Sequence, residues 1–181
     1  AIDHAIREIR DILQRFGVKA YNEEAHEGFL RHIIIRRGHY SHQMMVILVT
    51  RKQKFFQAEK IAEAIKEKIP EVVSIIQNVN EEQTNVIMGS TNRVILGESF
   101  IEDQLLGKTY RISAQSFYQV NTEQPEKLYQ IAMDFAQLNK NDIVVDAYSG
   151  IGTIGLSLAE NVDHVYGMEI VAEAVKDAKK N

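Results

Sequence analysis

The chain contains no cysteine. That excludes a disulfide, a thiolate zinc site and a cysteine nucleophile among its 181 residues. No apolar run approaches the ~20 residues needed to span a bilayer, and the first residues lack the pattern of a signal peptide. The default expectation is therefore a cytoplasmic protein with no membrane partner. There is no internal repeat and no low-complexity segment. Proline occurs twice, at Pro70 and Pro125. One absence is local: no Asp or Glu lies between Gly28 and Ala58.

What is present is ordinary in bulk and uneven in placement. Apolar residues make up 45% and charged residues 25% of the chain, as in soluble globular proteins. The length suits one large domain or two small ones. The net charge of −4 hides a division: residues 1–60 carry 11 Lys/Arg against seven Asp/Glu, and residues 61–181 carry 10 against 18. The acid-free stretch holds Arg31, Arg36, Arg37, Arg51, Lys52 and Lys54, with His32, His39, His42, Tyr40, Phe55 and Phe56 among them. Such a basic, aromatic-bearing patch is what binding a phosphate backbone requires, with Arg36 and Arg37 as candidate RNA contacts. Solvated strand faces and turns give the same composition.

Apolar residues at three- and four-residue spacing predict a helix over residues 2–16, stopped by Gly17. A short strand is expected over 18–21, and a hairpin from 29–37 and 43–50. A second helix follows over 55–69, ended by Pro70. Further strands are read at 72–79, 84–88 and 93–96. This is an α+β unit with antiparallel strands, placed at residues 1–100. Residues 97–107 read as a bend and an acidic turn at the domain boundary, and 110–120 as a strand. A helix over 123–138 is capped by Asn121 or Thr122, carries Pro125 in its first turn, and buries Leu128, Ile131, Ala132, Phe135 and Leu138.

The second unit, residues 101–181, is organised around Ile143-Val144-Val145-Asp146-Ala147-Tyr148-Ser149-Gly150-Ile151-Gly152-Thr153-Ile154-Gly155. A buried strand ends on a carboxylate, a glycine loop follows, and a helix begins. Gly150 and Gly152 permit positive φ and close approach of a ligand. Free amides at the helix start favour polar or anionic groups. A second strand, 164–168, ends at Glu169, 23 positions after Asp146, where a doubly wound sheet presents an acid to a ribose. Gly150, Gly152 and Gly155 also satisfy the dinucleotide pattern, so a nicotinamide cofactor is a rival, as is a turn without ligand. Asp146 at the strand end, four residues before Gly150, leaves a longer loop that favours S-adenosylmethionine. That cofactor has no phosphate, so Gly155 needs only to pack on the sheet. A last helix is expected over 171–180. The fold class is α/β: the first part of a Rossmann-like methyltransferase domain preceded by the α+β domain.

Phe117-Tyr118-Gln119-Val120-Asn121 lies about thirty residues ahead of the loop Asp146-Ala147-Tyr148-Ser149-Gly150-Ile151-Gly152. With these two elements the chain resembles the RNA uracil-5-methyltransferase family. Gly28-Phe29-Leu30-Arg31-His32-Ile33 and Met45-Val46-Ile47-Leu48-Val49-Thr50 are similar to its ribosomal RNA branch in Gram-positive bacteria. The resemblance implies that Gln119 contacts S-adenosylmethionine or the target base. It implies that Tyr148, Gly150, Gly152 and Thr153 line the cofactor, and that Glu169 holds the ribose hydroxyls. It makes Phe117 a platform for a uracil flipped out of its stack. The family often has Cys where this chain has Ser149 and Asn where it has Thr153.

In that family a cysteine thiolate adds to carbon 6 of uracil, and the resulting enolate takes the methyl group at carbon 5. This chain has no cysteine, so no catalytic residue is assigned and the chain alone is expected to be inactive. Two β-α units fall short of the five to seven strands of a doubly wound sheet, so a fragment of a longer protein, or completion by a partner, is expected. The expected substrate is RNA, 23S ribosomal RNA ahead of transfer RNA. The rivals are a non-catalytic RNA-binding module and a nicotinamide-dependent oxidoreductase.

Overall fold

α1 spans Ile2–Arg15 and turns Ala5, Ile9, Ile12 and Leu13 inward. Gly17, at φ 71°, ends it, its N–H donating to Gln14 O and that of Val18 to Leu13 O. This left-handed glycine closure is inexpensive because no Cβ is present. The computed structural model describes residues 1–119 and 122–181. The expected cap at Asn121 and the end of the strand expected over 110–120 lie outside the described residues. By internal contacts the chain divides into two compact units, Ala1–Arg37 with His42–Ile101, and Gly38–Ser41 with Glu102–Asn181.

In the first unit, β1 (Leu30–Arg37), β2 (Met44–Thr50), β3 (Val72–Val79) and β4 (Thr91–Gly97) form one sheet in that order. β1 with β2 and β3 with β4 are antiparallel, but β2 and β3 run parallel. The antiparallel expectation thus holds for two of the three pairings. The exception arises because α2 (Ala58–Lys68) carries the chain back to the starting edge between β2 and β3. β2 is buried along its whole length. Its Met44, Val46 and Leu48 meet Ile9, Ile12, Ile61 and Ile65 of the two helices in one apolar cluster.

The strand expected at 84–88 does not form. Asn80 Nδ2 donates to Val86 O at 2.7 Å, and Arg31 Nη2 to Thr84 O at 3.1 Å. Side chains satisfy these carbonyls in place of a ladder, and Val86 and Ile87 stay exposed. The segment 18–21 makes only an isolated bridge from Ala20 to Leu30.

The second unit opens with a hairpin that sequence reading took for a turn: β5 (Phe100–Leu105) pairs with β6 (Lys108–Ser113). Leu106 and Gly107, at φ 49° and 75°, make the two-residue turn. Its acids misled because Asp103 is buried. That carboxylate accepts the N–H groups of His39, Tyr40 and Ser41 at 2.8–3.0 Å. β6 stops at Ser113, short of the extended segment expected.

α3 spans Glu123–Ala136, and Thr122 makes no side-chain cap because its own backbone is already helical. The stripe expected to be buried is open: Leu128 is 62%, Ile131 52% and Phe135 84% exposed. β7 (Ile143–Asp146) and β8 (His164–Gly167) pair in parallel, with Asp146 opposite Gly167. α4 (Thr153–Leu158) joins them through a short 3₁₀ turn, and α5 (Ala172–Lys180) follows. One face of this small sheet, bearing Ile143, Val145 and Tyr166, is exposed as well. Among the described residues no helix is long and apolar enough to cross a membrane.

Candidate cofactor site

The β-branched run of β7 keeps the chain extended up to Asp146, whose backbone carbonyl then accepts Met168 N–H at 2.8 Å. Met168 O accepts Ser149 N–H at 3.0 Å in return. The loop after β7 is thereby laced to the end of β8. Gly150 and Gly152 take φ of 55° and 87°. A Cβ on Gly150 would point into open space, whereas one on Gly152 would meet Leu156 at 3.0 Å. Gly155 packs as expected, since a Cβ there would press on Val165 at 3.0 Å and on Asp146 at 3.3 Å.

Glu169 stands two residues past β8 and faces the loop. Its Oε2 accepts Gly150 N–H at 2.9 Å and its Oε1 accepts Val171 N–H at 2.8 Å. The Val171 amide above all holds this carboxyl below its ordinary range against the opposing desolvation, with smaller help from the amides of Gly150 and Ile170. A carboxylate offers about four lone-pair sites. Acceptor capacity beyond these amides is left for a ribose hydroxyl. Asp146 spends Oδ2 on Gly155 N–H at 3.1 Å, which steadies the first turn of α4.

A cleft of about 730 Å³ adjoins these groups, lined by Asp146, Ser149, Gly152, Met168 and Glu169, by the apolar Leu156, Val165 and Val175, and by Asp163, His164 and Lys179. That volume lies in the range of small-molecule sites, ~300–1,000 Å³. The structure therefore brings Asp146, Gly150, Gly152 and Glu169 together. Tyr148 stands outside the cleft lining, 93% exposed. Thr153 turns its hydroxyl to Tyr129, 3.5 Å away, and its carbonyl accepts Ser157 Oγ at 2.6 Å. Phe117 is 73% exposed and Gln119 is exposed, both on the irregular segment after β6.

Two residues escaped the sequence reading. Ser149 lines the cleft; it was visible as the loop residue at which the family often has Cys. Asp177 is buried on α5, where Oδ2 accepts Ser116 Oγ at 2.6 Å and Ser113 N–H at 3.2 Å. It ties the helix that follows Glu169 to the segment leading into Phe117. Its signal is an acid three positions after Ala174, on the helix's inward face.

In the first unit, Arg31 is structural. Its Nη1 donates to Asn80 O at 2.9 Å and its guanidinium lies 4.6 Å over the Tyr21 ring. Arg36 and Arg37 sit at the far end of β1, both half-buried.

The family model described as tRNA (Uracil-5-)-methyltransferase matches residues 30–181. An uncharacterized RNA methyltransferase of Streptococcus agalactiae is 56% identical over 99% of this chain and 40% of its own length. One from Lactiplantibacillus plantarum is 54% identical over the whole chain and 40% of its own length. Among solved structures, the Pyrococcus abyssi tRNA (uracil-54, C5)-methyltransferase in complex with S-adenosyl-L-homocysteine superposes with a TM-score of 0.79. It is 26% identical, over 97% of this chain and 42% of that one. The chain thus spans about 40% of the length of the curated relatives it matches.

Proposed function

The chain belongs to the tRNA (uracil-5-)-methyltransferase family, and on that premise we propose that its second unit is the S-adenosylmethionine grip of an enzyme methylating carbon 5 of uridine in RNA. The observation that carries this is Glu169, fixed by the Gly150 and Val171 amides in the lining of the cleft with acceptor capacity to spare. The residues fit the cofactor: an acid for the ribose, loop backbone at Gly150 with open space on its Cβ side, and a largely apolar lining through Leu156, Val165 and Val175. Gly150 and Gly152 supply backbone that approaches closely, and Asp146 keeps the loop's outgoing helix in place. When bound, S-adenosylmethionine supplies a sulfonium methyl group. The thiolate that must add to carbon 6 is not among these 181 residues, which contain no cysteine; the chain by itself binds without methylating.

The exposed Phe117 ring is the platform for the extruded uracil, with Gln119 beside it on the same segment and Tyr148 over the loop. The first unit is the RNA-approach domain, contacting phosphates through Arg36 and Arg37. The resemblance of residues 28–33 and 45–50 to the ribosomal RNA branch supports 23S ribosomal RNA as substrate ahead of transfer RNA. The protein then acts where ribosomal RNA is made, in the cytoplasm.

Calorimetric titration with S-adenosylhomocysteine tests the reading. The wild-type chain should give binding heat that Glu169→Ala abolishes, and Glu169→Gln should weaken binding by losing acceptor sites and charge. Undiminished binding by Glu169→Ala, or binding of NADH in place of S-adenosylhomocysteine, would overturn it.

A further inference from the structure

The loop that follows β2 is built more rigidly than a connector needs to be. The Gln77 side chain is fully buried on β3, and its Nε2 reaches Thr50 Oγ1 at 2.9 Å, Lys52 O at 3.1 Å and Gln53 O at 3.0 Å. Thr50 Oγ1 also donates to Lys52 O at 3.0 Å. Arg51 is held at both ends, its N–H on Phe29 O at 2.8 Å and its Nε on Gly28 O at 3.1 Å. Phe55 plugs the core, 4.9 Å from the Phe29 ring. The next residue does the opposite: Gln57 at φ 57° turns the chain into α2, and Phe56 is left 75% exposed.

Burying Phe56 would be favourable by the usual area argument, yet the anchored backbone displays it. Beside it a shallow hollow is lined by Phe16, Lys19, Arg51, Lys52 and Lys54. Lys52 and Lys54 are exposed, and among the described residues neither has an ion-pair partner. No acid occurs from Gly28 to Ala58, and Glu59, next along, is engaged by Arg93 at 2.7 Å. The patch is also separate from Arg36 and Arg37. Arg36 is opposite Met45 and Leu30 opposite Thr50, so about 17 Å of strand lies between them.

We propose that residues 51–56 form a second RNA contact that selects unpaired nucleotides: Phe56 stacks on a base while Lys52 and Lys54 pair with the phosphates on either side. A flat, exposed ring flanked by cations on a pre-set backbone is the arrangement that binds single strands without reading sequence. Duplex RNA offers no free base face and gains only the lysine contacts. The proposal rests on the reading of the chain as an RNA-binding methyltransferase and adds to it where the strand is held.

The test is fluorescence anisotropy with a labelled 12-nucleotide oligouridine and a fully paired RNA hairpin. Phe56→Ala should weaken oligouridine binding about tenfold and leave hairpin binding unchanged, while Phe56→Trp restores it. Lys52→Glu with Lys54→Glu should lower the slope of log affinity against log salt by about 1.4. Phe56 is exposed, so its variants should keep the wild-type melting temperature, which circular dichroism checks. Equal binding of oligouridine by wild type and Phe56→Ala, or equal loss on both RNAs, would overturn the proposal. If Arg36→Glu with Arg37→Glu abolishes binding while the loop variants do not, this inference falls and the methyltransferase reading stands. If wild type binds neither RNA, the RNA-approach role of the first unit falls with it. Tighter binding of polyglutamate than of oligouridine would point to an acidic protein partner and overturn the proposal.

Discussion

Replacing Gly150 by alanine separates two things that the glycine does. At φ 55° an L-residue is strained in the left-handed region, at a cost of about 1–2 kcal/mol. In a unit of this size that lowers the melting temperature by about 4–8 °C per kcal/mol. Gly107 offers the control. Its φ is 75° and a Cβ would likewise meet nothing within 4 Å, but it lies in the β5–β6 turn. Gly107→Ala should therefore lose similar stability and bind S-adenosylhomocysteine as wild type does. If the cofactor lies against this loop as proposed, the new methyl of Gly150→Ala, which meets no protein atom within 4 Å, crowds the cofactor instead. Overpacking costs about 1–3 kcal/mol, which is a roughly 5- to 150-fold rise in Kd. Calorimetry at a temperature where both variants are folded reads the difference. Normal affinity in Gly150→Ala, or an equal loss in Gly107→Ala, would refute the assignment of the cofactor to this loop.

The Glu169 carboxyl is held low by the amides of Val171 and Gly150, so its contribution to stability is full above the ordinary glutamate value. It disappears as pH falls through the depressed one. The melting-temperature deficit of Glu169→Gln relative to wild type should therefore shrink in acid, and a deficit that grows there would contradict the geometry. Arg36→Glu with Arg37→Glu should weaken RNA binding and flatten its salt dependence by roughly 0.7–0.9 per charge removed; an unchanged slope in an anisotropy titration would retire those contacts. Leu128→Lys and Phe135→Lys, at positions 62% and 84% exposed, should each change unfolding free energy in urea by no more than about 0.5 kcal/mol. Losses of ~2–5 kcal/mol would mean that the stripe is buried after all.

What the linear sequence determined is the set of elements whose signals are local. The three-to-four spacing of Ile9, Ile12 and Leu13, the β-branched run into Asp146 and the glycines that follow were each legible because neighbours along the chain decide them. The interval from Asp146 to Glu169 was legible for the same reason: one strand, turn and helix separate them. Only tertiary structure decided that Asp103 is an inward acid on a strand, since its reason for burial is three amides more than sixty positions away. Tertiary structure also settled that Arg31 braces carbonyls near Asn80 and that β2 runs parallel to β3. Likewise the apolar face of α3 is open, because periodicity states which side of a helix is greasy but not whether anything lies against it. Glu169 needed both. Its place in the chain nominated it, and the amides of Gly150 and Val171 turned its carboxylate toward the cleft.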